Sequence, residues 1–179
     1  MIKREKYLND LISSMHNGFP KVITGIRRCG KSYLLNEIFY EYLIKEKNVN
    51  PNNIIKIELD DINNIEYRNP LKLIKYIKDR IININKYYVF IDEIQKVPDL
   101  LDVVHLLMVE KQLNFILSGS SSRKLKRSGA NTLGGRAVPE TLFPLVSAEI
   151  PDFDVYRAMQ NGMIPRHYLA TNATKRIKA

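Results

Sequence analysis

Residues 25 to 32 read Gly25-Ile26-Arg27-Arg28-Cys29-Gly30-Lys31-Ser32, which fits the pattern G-x-x-x-x-G-K-S throughout. An apolar pair, Val22 and Ile23, precedes it. Leu34, Leu35, Ile38, Phe39, Tyr42 and Leu43 follow at helical spacing. Strand, glycine loop and helix in that order form a phosphate-binding loop, because the chemistry depends on the geometry as much as on the letters. Gly25 and Gly30 let successive backbone N–H groups turn inward toward phosphate oxygens. The helix that follows presents the positive end of its dipole. Lys31 is placed to neutralise the β- and γ-phosphates, and the Ser32 hydroxyl to ligate Mg²⁺. Ile26, Arg27, Arg28 and Cys29 contribute backbone to the cradle, and Tyr33 extends it into the helix. The expected ligand is a nucleoside triphosphate.

Further along, Tyr87-Tyr88-Val89-Phe90-Ile91 is a near-continuous apolar run, as in a strand buried on both faces. Asp92 and Glu93 follow at once. A carboxylate in the first position can hold the Mg²⁺ shell, and one in the second can deprotonate an attacking water. The plainer alternative is a strand end capped by solvated acids. A helix, a strand (Ile54–Leu59) and a second helix opened by Pro70 separate the loop from this pair. Asp92 is therefore expected on the third strand, with a fourth (Asn114–Leu117) inserted beside the phosphate-loop strand. A third helix is expected from Pro98, and a fifth strand over Val138–Leu142. Alternating strands and helices give an α/β fold: a parallel-sheet P-loop NTPase of the additional-strand, catalytic-glutamate type, with helices on both faces.

Ligands of such sheets sit at the carboxyl ends of the strands. Ser118 ends the fourth strand and is read as a γ-phosphate sensor, the alternative being a serine-rich turn in which Ser120 and Ser121 cap the next helix. Arg136 follows Gly134-Gly135 and is read as converging on the same edge. There a guanidinium can stabilise transition-state charge in cis or on a neighbouring subunit; the alternative is a surface arginine. Asp60 and Asp61 either approach the site or cap a turn. No N-K-x-D pattern reads guanine, so ATP is the expected nucleotide.

With 179 residues, 45% of them hydrophobic, the chain can bury one sizeable core. The N-terminal charges lack a following apolar stretch, no window is long enough to span a bilayer, and Cys29 is the sole cysteine. A cytoplasmic protein is the expectation. The net charge of +9 accompanies heavy use of Lys, Asn, Ile and Tyr and no recognition module, so nucleic acid is not indicated by charge alone. The basic run Arg123, Lys124, Lys126 and Arg127 is read first as a solvated helix face. His16, His105 and His167 are scattered without ligand spacing.

The stretches VITGIRRCGKS, YYVFIDEIQKV, FILSGSSSRKL, GGRAVPETLFPLVSAEI and NGMIPRHYL together resemble consecutive motifs of AAA-type P-loop ATPases of bacteria and archaea. The resemblance runs from about residue 20 to 170. It implies ATP binding and hydrolysis with Mg²⁺, supports Lys31, Ser32, Asp92, Glu93 and Ser118 in their roles, and places Arg136 in a Gly-Arg pattern. Such relatives often continue into a second, C-terminal domain, so residues 1–170 are expected to be the ATP-binding domain, led in by a helix over 1–18. Residues 171–179 then form a tail, the cut-off start of a missing domain. Homo-oligomerisation and a protein client are implied without being specified. Two further classes stay open: a nucleotide-gated interaction switch with negligible turnover, and a DNA- or RNA-stimulated ATPase.

Overall fold

The computed structural model describes residues 2–110, 113–119 and 135–170. Five strands, β1 (Lys21–Thr24), β2 (Ile54–Glu58), β3 (Tyr87–Asp92), β4 (Leu113–Gly119) and β5 (Val138–Thr141), form one sheet in the order β2-β3-β4-β1-β5. Every neighbouring pair is parallel. The expected insertion of a fourth strand between the acidic strand and the phosphate-loop strand is what the sheet shows.

Composition accounts for the order. β1, β3 and β4 are buried along nearly their whole length, as strands with neighbours on both sides and helices on both faces must be. β2 alternates, with Ile55 and Ile57 inside and Lys56 and Glu58 outside, which suits an edge. β5 forms the other edge and tolerates Pro139, which has no N–H to donate.

The helices are α1 (Glu5–Ser14), α2 (Lys31–Tyr33 continuing through a π-helical Leu34–Phe39 into Tyr40–Lys45), α3 (Pro70–Arg80), α4 (Leu100–Glu110), α5 (Val155–Asn161) and α6 (Pro165–Tyr168). Alternate strand residues face alternate layers. Val22, Ile57, Val89, Ile91 and Phe115 pack against Leu73 and Ile77 of α3 and Val104 and Leu107 of α4. Ile23, Phe90 and Ile116 pack against Leu11 of α1 and Leu35, Phe39 and Leu43 of α2. Each fully buried side chain of this size contributes about 1.5–3 kcal/mol, so the two layers fix the sheet from both sides. Among the described residues no helix is long and apolar enough to cross a membrane.

Among the boundaries that differ from the sequence reading, three adjoin left-handed residues. α1 starts at Glu5 because Arg4 takes a left-handed conformation (φ 50°). Its guanidinium turns inward, where Nη2 donates to the Phe143 carbonyl at 2.6 Å and Nε pairs with Glu149 at 3.0 Å. α4 starts two residues after Pro98, because Asp99 is left-handed (φ 50°). α2 stops at Lys45, against an end at about Lys47 expected from the sequence, and left-handed Asn48 follows (φ 52°). By contrast α3 opens at Pro70 as expected, and the Asn69 side chain accepts the N–H groups of Leu71 (3.0 Å) and Lys72 (3.2 Å).

Candidate nucleotide site

Register decides which residues meet. Ile23 lies opposite Ser118 and Thr24 opposite Gly119, while Ile91 lies opposite Leu117. The next residue on β3, Asp92, therefore stands level with Ser118 at the carboxyl edge, where β1 runs into the phosphate loop.

The loop folds around its own lysine. Lys31 is buried, and its Nζ donates to the carbonyls of Gly25 (3.2 Å) and Ile26 (3.1 Å). The ammonium is thus held within the curve of the loop, and among the described residues its hydrogen bonds go to neutral acceptors. Gly30 sits at φ 103°, a conformation that disfavours other residues, before α2 begins. Gly25 is needed for space: a Cβ there would lie 2.4 Å from the Leu142 carbonyl oxygen and 2.9 Å from Cys29 Sγ. Burial pushes the Cys29 thiol pKa up, so Cys29 serves as packing under the loop. Arg27 and Arg28 are exposed on it.

Asp92 is the hub of the acidic edge. The Ser32 hydroxyl donates to its Oδ2 and the Ser118 hydroxyl to its Oδ1, which also accepts the Glu93 N–H at 2.9 Å. Ser118 is fully buried, so its hydroxyl is committed to this carboxylate. The donor set of one carboxylate beside one hydroxyl suits Mg²⁺, a hard cation that keeps several waters and binds few protein oxygens. Among the described residues no group of three or more His, Cys, Asp or Glu is arranged to hold a metal ion.

Glu93 adjoins this hub in a left-handed conformation (φ 58°, ψ 47°) that is costly for a residue with a Cβ. Its carboxylate accepts a hydrogen bond from the Gln95 side-chain amide. Sequence reasoning missed Gln95 although it lies inside the IDEIQ stretch. Its contact arises because a tight 3₁₀ turn over Ile94–Lys96 folds it back. Asp60 pairs with Lys96 in the same turn, and Asp61 caps a turn by accepting the Asn63 N–H at 2.9 Å.

Arg136 is not brought to this cluster. It precedes β5, whose first residue, Val138, lies opposite Lys21 at the amino end of β1. Its guanidinium pairs instead with Asp102 of α4 at 3.0 Å. The expected convergence of that loop on the carboxyl edge is corrected: Arg136 comes before a strand, not after one. Ser120, Ser121, the Arg123–Arg127 run, Gly129–Gly134 and residues 171–179 lie outside the described residues.

Comparison with known proteins agrees with this geometry. Residues 17–151 match the family described as AAA domain. The chain is 31% identical over 146 residues to an uncharacterized protein of Haemophilus influenzae, covering 81% of this chain and 36% of that one. It is 29% identical over 180 residues to an uncharacterized protein of Methanocaldococcus jannaschii, covering 98% and 37%. The chain therefore spans little more than a third of the length of these curated relatives. Among solved structures, a Walker-type ATPase of Pyrococcus abyssi superposes with a TM-score of 0.61 at 19% identity, covering 92% of this chain and 65% of that one. The Aeropyrum pernix ORC1 protein, solved in complex with DNA, gives 0.56 at 12% identity, covering 83% and 47%. At these identities the structural likeness speaks for the fold.

Proposed function

This chain belongs to the AAA domain family, and we propose that it binds ATP with Mg²⁺ and hydrolyses it at the carboxyl edge of the sheet. The observation that carries the reading is the Asp92 carboxylate, which receives hydroxyl hydrogen bonds from both Ser32 and Ser118 and so ties the phosphate loop to the acidic strand. Residues 1–170 are taken as the nucleotide-binding domain.

In this reading the backbone N–H groups of Gly25–Ser32 and Tyr33 hold the phosphates, and the Lys31 ammonium neutralises their charge. Ser32 and Asp92 would hold Mg²⁺, which would supply positive charge to the phosphates when bound. Glu93 accepts the proton of the attacking water once its carboxylate exchanges the Gln95 amide for that water. Ser118 fixes the orientation of Asp92 and lies level with it at the edge where the γ-phosphate arrives.

Binding of ATP, ADP and GTP with Mg²⁺, and phosphate release in the same samples, test these roles. Lys31→Ala should abolish binding. Glu93→Gln should retain binding and lower release by a factor on the order of 10²–10⁴, the usual contribution of a general base. Equal loss of binding in both variants would refute the assignment. A second reading, a nucleotide-gated switch with negligible turnover by the single chain, is supported by the pairing of Arg136 with Asp102. In that reading phosphate release per molecule stays negligible at every protein concentration, whereas a rise with concentration would mark an ATPase activated by assembly, with the guanidinium serving a neighbouring subunit.

A further inference from the structure

The end of the sheet away from the phosphate loop opens into a cavity of about 420 Å³, whose lining includes His16, Lys21, Lys86 and His105. These residues come from the turn after α1, the start of β1, the loop before β3, and α4, so only the fold assembles them. Among the described residues that line it there is no carboxylate. Lys21 is only 5% exposed, and its Nζ donates to Asn17 Oδ1 (2.6 Å) and to the Phe19 carbonyl (2.5 Å). Its hydrogen bonds are made to neutral groups, and no described carboxylate pairs with its charge. An ammonium so buried is costly unless an anion reaches it. His105 Nε2 is buried and has no hydrogen-bond partner among the described residues. The His16 ring is fixed edge-on to Tyr88, its Nε2 lying 3.4 Å from the Tyr88 hydroxyl. Burial pushes the Lys21 pKa down to about 8, and burial followed by the Lys86 charge pushes His16 down. For Lys21 the direction expresses burial alone, and for His16 it expresses burial together with the neighbouring positive charges.

The rim has a different character. Phe19, Met108 and Val109 line the same cavity. Val109 is 88% exposed, and Leu106, one turn back on α4, is 49% exposed. Basic groups below and bare apolar side chains beside them call for a ligand that carries both an anion and aliphatic groups. The volume admits one or two side chains, not a folded surface. A polynucleotide could supply the anion, but its sugar-phosphate chain has no aliphatic side chain to cover Val109, and it is favoured by an open basic track over a single concave site.

We propose that this cavity receives a carboxylate side chain from an extended acidic and aliphatic segment of a partner protein, with Lys21, Lys86 and His105 around the carboxylate and Phe19 and Val109 under its aliphatic neighbours. Docking there leaves the phosphate loop free, because β1 carries Lys21 at one end and runs into the loop at the other.

The test uses the whole chain and a short fluorescein-labelled peptide of alternating glutamate and leucine, read by anisotropy. The matched peptide with glutamine for glutamate and a labelled oligo-thymidine strand run alongside. Lys86→Glu and Val109→Asp alter exposed side chains, so both variants should keep the wild-type far-UV spectrum and nucleotide binding. The expected result is binding of the acidic peptide that weakens with salt and falls at least about tenfold in each variant, with no binding of the glutamine peptide. Absence of binding to the wild type, or unchanged affinity in both variants, would overturn the proposal. Tighter binding of the oligonucleotide that is lost in Lys86→Glu would overturn it in favour of a polynucleotide site.

Discussion

Replacing Gly25 by alanine should be the most damaging single-methyl change in the phosphate loop. The new Cβ would stand 2.4 Å from the Leu142 carbonyl oxygen, 2.9 Å from Cys29 Sγ and 3.3 Å from the Leu142 carbonyl carbon. An ordinary contact begins near 3.4 Å, so the segment after β5 must retreat by about 1 Å. That segment is anchored by the Leu142 N–H, which donates to the Thr24 carbonyl at 2.7 Å immediately before the loop. Losing one such bond costs about 1 kcal/mol, and overpacking a close-packed site costs about 1–3 kcal/mol more. The sum, roughly 2–4 kcal/mol, should lower Tm by roughly 5–15 °C for a chain of this size. Gly30→Ala is the control. Its Cβ would meet only Pro165 Cγ at 3.8 Å, so the cost comes from φ 103° alone and is about 1–2 kcal/mol. Urea titration of both variants and of Gly25→Ala combined with Cys29→Ala checks the logic. The double variant relieves the sulfur contact and leaves the carbonyl contact, so it should recover only part of the loss. A Gly25→Ala protein as stable as wild type, or less affected than Gly30→Ala, would refute the steric account.

Two further outcomes are expected. The Lys21 ammonium, held near 8 by burial against 10.5 ordinarily, releases its proton earlier in the folded than in the unfolded chain. Stability should then rise between about pH 8 and 10.5 by at most about 3 kcal/mol relative to Lys21→Met, and a difference that does not change with pH across that window would contradict it. Arg136→Ala removes a pair whose partners are 52% and 65% exposed, so Tm should shift little and nucleotide binding by the dilute protein should persist. Loss of binding in dilute solution would place the guanidinium in the same-chain site after all.

Local grammar carried much of the fold. The β1–loop–α2 unit, the apolar β3 with its terminal acids, and the Asn69-Pro70 start of α3 were legible because strand burial, glycine spacing and capping are properties of neighbouring residues. The insertion of β4 between β3 and β1 also followed, whereas the place of β5 on the far side of β1 came from the structure. Boundaries set by left-handed residues were not legible. Arg4 and Asp99 adopt φ 50°, and for Arg4 the turned-in guanidinium meets Phe143 and Glu149, which are far away in the chain.

What the sequence determined by itself is the kind of site: a glycine loop with Lys31 and Ser32, and an acidic strand end with Asp92 and Glu93, each a short run whose chemistry is local. What only the tertiary structure decided is which distant groups share an edge. The register of β4 between β3 and β1 brings Ser118 onto Asp92. The parallel entry of β5 at Lys21 carries Arg136 away from that cluster to Asp102. The same arrangement gathers His16, Lys21, Lys86 and His105 around one cavity. Parallel strands sort residues by whether they precede or follow a strand: Ser118 lies at the carboxyl end of β4, whereas Arg136 precedes β5 and so enters at the opposite end of the sheet.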